Sequence, residues 1–354
     1  MADLPIISLF SGAGGLDLGF HKAGFQTVWA NEFDKHIWAT FRHNFPNTYL
    51  EQRSITQVDA DEVPKALGLI GSPPCQSWSE AGSQRGIQDA RGQLFHDYIR
   101  VLKAKQPLFF LAENVSGILQ TKHSQAVERI TRDFTEAGYE VSITMVNAND
   151  YDVPQERHRV FFVGYRKDLR KKFIMSAAKA NSVTLRDAIW DLQNTSKPAQ
   201  DGNRANQSLE IPNHEYWIGD FSSQYMSRNR VRNWSEPSFT IQASGRHAPL
   251  HPQAPRMQQV SRDVFQFMPG QEHLYRRLSI REAARVQSFP DSFEFLYDNP
   301  ANGYKMVGNA VPPLLAQNIA QQIRADLFEQ TVLAVPQKNL RQEPLFEILN
   351  TEYA

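Results

Sequence analysis

The chain carries a single cysteine, Cys75, in the run Gly71-Ser72-Pro73-Pro74-Cys75-Gln76. One thiol forms no internal disulfide, which fits a reducing compartment and leaves a reactive group to explain. Most lone cysteines are inert packing residues. This one follows two prolines that stiffen the backbone, just after an apolar run at 67–70, so it is expected to stand over a cleft as a nucleophile. The polar stretch 76–92 behind it, rich in Gly, Ser and Gln, is expected to close as a lid over substrate. Glu113 ends the apolar run Leu111-Ala112-Glu113-Asn114-Val115. A carboxyl entering a cleft from an apolar strand is expected to hold its proton more tightly and to donate it near neutrality. Capping the next helix is the structural alternative. Gln155, Arg157 and Arg159 alternate just before another apolar run, an arrangement expected to place all three on one face. A surface salt-bridge cluster is the alternative there.

A second constellation lies near the N-terminus. Phe10-Ser11-Gly12-Ala13-Gly14-Gly15 joins an apolar run to a helical stretch. Glycines let the backbone approach a ligand, and a helix start offers free N–H groups. Glu32 follows Gly12 by 20 residues, the position from which a carboxylate can accept both hydroxyls of a ribose. The spacing is not the dinucleotide fingerprint, and no Gly-Lys-Ser/Thr follows, so a nucleoside-bearing cofactor is favoured over a phosphate-gripping loop. A tight turn with no ligand is the alternative.

These groups need a scaffold that gathers them at one edge. Apolar runs at 5–10, 27–30, 49–55, 67–70, 108–112, 141–146 and 160–165 read as strands. Helical spacing at 16–23, 94–105 and 124–137 falls between them. The alternation predicts an α/β fold with a doubly wound, mostly parallel sheet. Ligands of such sheets bind at the carboxyl ends of the strands, where the glycine loop, Glu32, the cysteine loop and Glu113 lie. From about 192 to 278 the chain turns polar and loop-rich, and helical pattern returns at 280–287 and 314–327. The expected division is a discontinuous Rossmann-like catalytic domain, 1–190 and 279–331, a smaller target-recognition domain, 191–278, and a C-terminal tail, 332–354. No stretch reads as a signal peptide or a membrane span.

The net charge is zero, yet residues 222–286 hold ten arginines, no lysine and four acids. That surplus suggests one focused polyanion-binding face. Arg228, Arg230 and Arg232 alternate, so an extended strand would present all three on one side, and Arg246 follows Gln242-Ala243-Ser244-Gly245. Arginine in a DNA major groove pairs bidentately with guanine. Phosphate contact alone is the alternative for each.

Together the segments resemble the cytosine-5 DNA methyltransferases. The likeness is carried, in the family's order, by Phe10 to Gly15, Asn31-Glu32, Pro73-Pro74-Cys75-Gln76, Glu113-Asn114-Val115, Gln155-x-Arg157-x-Arg159, 281–290 and Gly308-Asn309-Ala310-Val311-Pro312. A closer likeness, to the GGCC-modifying (HaeIII-type) enzymes of type II restriction-modification systems, rests on 9–20, 76–82, 213–219, 226–232 and 243–245. The resemblance implies Cys75, Glu113, Arg157 and Arg159 as catalytic residues. It implies S-adenosyl-L-methionine as methyl donor, no metal, and Phe10, Gly12, Gly15, Glu32, Phe33, Ile55, Pro74, Leu94, Asn309 and Val311 around that cofactor. It further implies double-stranded DNA as partner with a flipped cytosine, a cognate restriction endonuclease, a cytoplasmic bacterial location and a monomer. Two positions depart from the family: Ser8 stands where an Asp precedes Leu-Phe, and Ser54 where an Asp contacts the adenine amino group, with Asp59 or Asp61 as the substitutes for the latter. A transfer-RNA cytosine-5 methyltransferase and a catalytically dead DNA-binding module are the competing readings. The arginine-rich segment argues against the first and the intact catalytic set against the second.

Overall fold

A computed structural model describes residues 4–74, 90–179, 182–206 and 208–329. Cys75 and most of the expected lid, 76–89, lie outside the described residues, as does the tail 332–354. The elements in order are β1 (Leu4–Leu9), α1 (Gly15–Lys22), β2 (Phe25–Asn31), α2 (Trp38–Asn44), β3 (Tyr49–Glu51), β4 (Gly68–Gly71), α3 (Ala90–Lys105), β5 (Phe109–Val115), α4 (Ser124–Glu136), β6 (Tyr139–Asn147), β7 (His158–Arg166) and α5 (Leu185–Ile189). Then come the short strands β8 (Lys197–Pro198), β9 (Glu215–Tyr216), β10 (Gln258–Ser261) and β11 (Val264–Gln266), followed by α6 (Ile280–Val286), α7 (Pro300–Asn309) and α8 (Pro313–Phe328).

The main sheet has seven strands in the order β3-β2-β1-β4-β5-β7-β6. Strands β1 to β5 pair in parallel, and β7 runs antiparallel to both β5 and β6. The sheet is therefore mostly parallel, as the sequence alternation implies. Both faces are buried, which is why its strands read as continuous apolar runs. On one face Ile6, Ile70, Phe109, Leu111 and Phe161 pack against α1 and α8. On the other, Ile7, Leu9, Leu69, Phe110 and Phe162 pack against α3 and α4. A further cluster joins α2, α5, α6 and α7 through residues such as Phe41, Ile189, Ala283 and Tyr304.

Three helices leave no clear trace in the sequence: α2, α5 and α7. They are 7, 5 and 10 residues long, too short for a strong periodic signal. The expected strand at 49–55 ends at Glu51, because Ser54 opens a 3-10 turn over Ile55–Gln57. Between 191 and 278 the described chain holds two two-stranded sheets, 3-10 turns and isolated β-bridges.

Ser8 has a packing role. It is fully buried, and its hydroxyl lies beside Asp17, a buried carboxyl that accepts from Thr27 Oγ1 at 2.9 Å. Burial pushes Asp17 up to about 6. An Asp at position 8 would press a second buried carboxyl against the first, so the serine accommodates Asp17. A folded state that binds this proton more tightly than the unfolded chain loses stability as pH rises through about 4 to 6. Asp17→Asn keeps the acceptor without the charge. Its thermal stability should match wild type near pH 4 and exceed it at pH 7.5 by roughly 2–3 kcal/mol, at about 1.36 kcal/mol per pKa unit. Equal melting curves at both pH values would show that Asp17 carries no buried-charge penalty.

Candidate active site

The carboxyl edge of the parallel strands forms one cavity of about 530 Å³. Its lining includes Phe10, Gly12 and Gly15 after β1, Glu32 after β2, Pro73 and Pro74 after β4, Glu113 and Asn114 on β5, and Asn309 and Val311 at the end of α7 and just beyond it. The glycine loop reaches it through strained backbone: Phe10 has φ 53°, a conformation that non-glycine residues keep mainly where function requires it. Gly15 has no room for a side chain, since a Cβ would lie 2.3 Å from the Val311 carbonyl oxygen. That close approach brings the C-terminal segment back to the first loop.

Glu32 is held by two backbone amides, Gly12 N to Oε2 at 2.9 Å and Asp34 N to Oε1 at 2.7 Å. Burial raises its pKa, and the two amides oppose the shift. Asp34 forms an ion pair with Lys305 at 2.7 Å across the cavity mouth, and that pairing holds the Asp34 carboxyl below its ordinary value against the opposing effect of burial. Neither residue was singled out from sequence. Lys305 stands four residues before Asn309 on α7, a spacing that puts both on one helix face. Beside the cavity, Phe33, Trp38, Pro74 and Leu94 line a shallower depression that shares Asp34, Pro74 and Lys305 with it.

The position of Glu113 is set by register. β5 and β7 are antiparallel, with Glu113 opposite Phe161 and Val115 opposite Arg159. Glu113 and Arg159 are thus diagonal neighbours on one face, within reach of long side chains. Arg159 Nε donates to Glu113 Oε1 at 2.9 Å, and Glu113 is only 7% exposed. Asn114 Nδ2 donates to the Pro73 carbonyl at 3.3 Å, which ties β5 to the proline turn that precedes Cys75.

Several placements expected from the sequence differ in the structure. Arg157 does not share the face of Arg159: it is 1% exposed and donates to the carbonyls of Ile241, Gly308 and Ala310, so it holds backbone and does not reach the cavity. Gln155 is buried likewise and bonds Gln287 and Ile241. Ile55 is packed in the core, 2% exposed, and does not line the cavity. Ser54 bonds Thr56, and neither it, Asp59 nor Asp61 lines the cavity.

The arginine ladder is also placed otherwise than expected. Residues 228–232 form no strand. Arg230 is buried, stacks over Tyr225 and donates to the Gln224 and Tyr225 carbonyls. Arg232 pairs with Glu156 and Glu236. Four further arginines of the segment are engaged in the same way. Arg277 and Arg281 are buried on carbonyls, Arg276 clasps Glu282, and Arg285 pairs with Asp191 and Asp291. In a region poor in regular structure, guanidinium donors satisfy backbone carbonyls that no ladder reaches. Arg228 and Arg246 keep solvent access. Arg228 shares a cleft of about 370 Å³ with His158, Gln242 and His247, and His158 neighbours Arg159 on β7.

Residues 4–325 match the family model described as C-5 cytosine-specific DNA methylase. The chain belongs to that family. It is a DNA cytosine-5 methyltransferase. It is 54% identical over 329 residues to the type II methyltransferase M.NgoPII of Neisseria gonorrhoeae, covering 92% of this chain and 96% of that one. It is 51% identical over 348 residues to M.FnuDI of Fusobacterium nucleatum, covering 97% of this chain and all of the other. Among solved structures, the Entamoeba histolytica methyltransferase EhMeth superposes with a TM-score of 0.67 at 15% identity, over 92% of this chain and 99% of that one, a likeness of fold. No helix among the described residues is long and apolar enough to cross a membrane.

Proposed function

We propose that this methyltransferase modifies carbon 5 of a cytosine within GGCC in duplex DNA, using S-adenosylmethionine, and that it protects DNA from a restriction endonuclease of the same specificity. The observation that carries the chemistry is the single cavity lined by both Glu32 and Glu113. The cavity fits the cofactor: a buried carboxylate oriented by amides suits a ribose, and Phe10, Asn309 and Val311 line the remainder. Bound there, S-adenosylmethionine would supply an electrophilic methyl group to carbon 5. The target-specific part of the reading rests on the sequence likeness to GGCC-modifying enzymes, on the relatives named as type II methyltransferases, and on the solvent-accessible Arg228 and Arg246.

The protein's own residues activate the base. Cytosine carbon 5 is a weak nucleophile, so Cys75 adds as thiolate to carbon 6. Glu113 holds a proton at ring nitrogen 3, and Arg159, fixed to Glu113, stabilises charge at the base carbonyl. Loss of the carbon-5 proton to water re-forms the 5,6 double bond and expels the Cys75 thiolate, while ring nitrogen 3 returns its proton to Glu113. A stacked base cannot reach these groups, so the cytosine is flipped out at a cost of a few kcal/mol.

DNA from cells expressing the chain should resist a GGCC-cutting nuclease and remain open to nucleases of unrelated specificity; cleavage at GGCC would refute the target. Arg228→Ala should relax discrimination at one base pair by about 1–3 kcal/mol. A uniform loss on every sequence would assign Arg228 to phosphate instead.

A further inference from the structure

Arg157 and its surroundings form a junction that catalysis at the base does not use. Its guanidinium is buried, and no carboxylate hydrogen-bonds to it among the described residues. Its two terminal nitrogens donate to three carbonyls from two distant segments: Ile241 at 3.1 Å, Gly308 at 2.9 Å and Ala310 at 3.0 Å. Gly308 adjoins Asn309, Ala310 and Val311, which line the cofactor cavity. Ile241 precedes Gln242, which lines the cleft with Arg228.

Two buried glutamines repeat the same link. Gln155 accepts from Ile241 N at 2.8 Å and donates to Gln287 Oε1 at 2.7 Å. Gln287 donates to the Val307 and Ala310 carbonyls at 2.7 and 3.1 Å. The segments also touch directly. A Cβ on Gly308 would lie 2.3 Å from Gln242 C and 2.4 Å from Ala243 N, so only glycine lets the two backbones meet.

We propose that Arg157 is a positioning residue that couples target-DNA recognition to cofactor binding, by joining the 241–243 segment and the 308–310 turn into one hydrogen-bonded unit. The inference rests on the cofactor and target reading above. A shift of 241–243 upon meeting its sequence would move the carbonyls that fix Asn309 and Val311. Coupling of this kind is reciprocal: a duplex that tightens the cofactor must itself be tightened by it. The same junction lies two residues from Arg159, so the catalytic arginine is anchored to both partners.

The test measures S-adenosylhomocysteine, which cannot react, binding to wild type, Arg157→Lys and Gly308→Ala by calorimetry. Each is titrated alone, with a GGCC duplex and with a scrambled duplex. In wild type the GGCC duplex should tighten the ligand by about 5-fold or more, a usual size for coupled sites, and the scrambled duplex should not. A lysine ammonium lacks the planar fork whose two nitrogens serve the two segments, so Arg157→Lys should bring that ratio close to one while the DNA-free affinity holds within a few-fold. Gly308→Ala wedges the same contact from the other side and should act alike, which keeps the idea testable if one variant folds poorly. A wild-type ratio of one, or an unchanged ratio in both variants, overturns the coupling. Equal losses of affinity with and without DNA would assign Arg157 to plain structural support and also overturn it. A wild type that binds no S-adenosylhomocysteine at all would instead refute the cofactor reading.

Discussion

Cys75→Ser should lower methyl transfer to duplex DNA by roughly 10⁴- to 10⁶-fold, the range reached when a covalent nucleophile is removed. A serine hydroxyl is almost wholly protonated where a thiol is partly ionised, so addition to carbon 6 fails although the side chain is nearly isosteric. A duplex with 5-fluorocytosine at the target gives a sharper readout. Fluorine cannot leave carbon 5 as a proton does, so wild type should be trapped as a covalent adduct that denaturing electrophoresis resolves. Cys75→Ser should form none. An adduct with the serine variant, or none with wild type, would remove Cys75 from the mechanism. The flanking structure supports this choice: Pro73 and Pro74 line the cavity, and Asn114 holds the Pro73 carbonyl.

Glu113→Gln should lower kcat by about 10²- to 10⁴-fold, the usual contribution of a positioned proton donor. The amide would keep the shape of the side chain, and Arg159 would keep an oxygen partner, so folding and cofactor KM should change little. The lost function is the ability to hold and release a proton at ring nitrogen 3. Because Glu113 and Arg159 are joined at 2.9 Å, the effects of Glu113→Gln and Arg159→Ala should fall well short of additive in the double variant. Residues acting as one unit behave this way. Strict additivity of the two losses in kcat would show that they act separately, and an unchanged kcat in Glu113→Gln would free the carboxyl from any chemical role.

Both predictions draw on residues that are legible without any fold. Cys75, Glu113 and Glu32 each follow an apolar run, and a parallel sheet with two covered faces places the ends of such runs at one edge. Local backbone chemistry, namely glycines before a helix and paired prolines before a thiol, tells where the chain turns. None of this depends on contacts between remote residues.

The arginines show the opposite case. Alternation along 228–232 promises a shared face, but the residues form no strand, and their partners include segments far off in the chain. Arg230 turns inward onto Tyr225 and nearby carbonyls, while Arg232 meets Glu156. A guanidinium is equally suited to a phosphate, a base edge, a carboxylate or an orphan carbonyl, so residue type cannot choose among them. The placement of Arg157 was hidden for the same reason: its acceptors at 241, 308 and 310 come from segments 84, 151 and 153 residues away. The chemistry of this protein was therefore determined by the sequence itself, since it rests on residue types at strand ends. Which charges face the substrate and which hold the frame was decided only by tertiary structure, because hydrogen-bond partners across long loops leave no periodic trace in the chain.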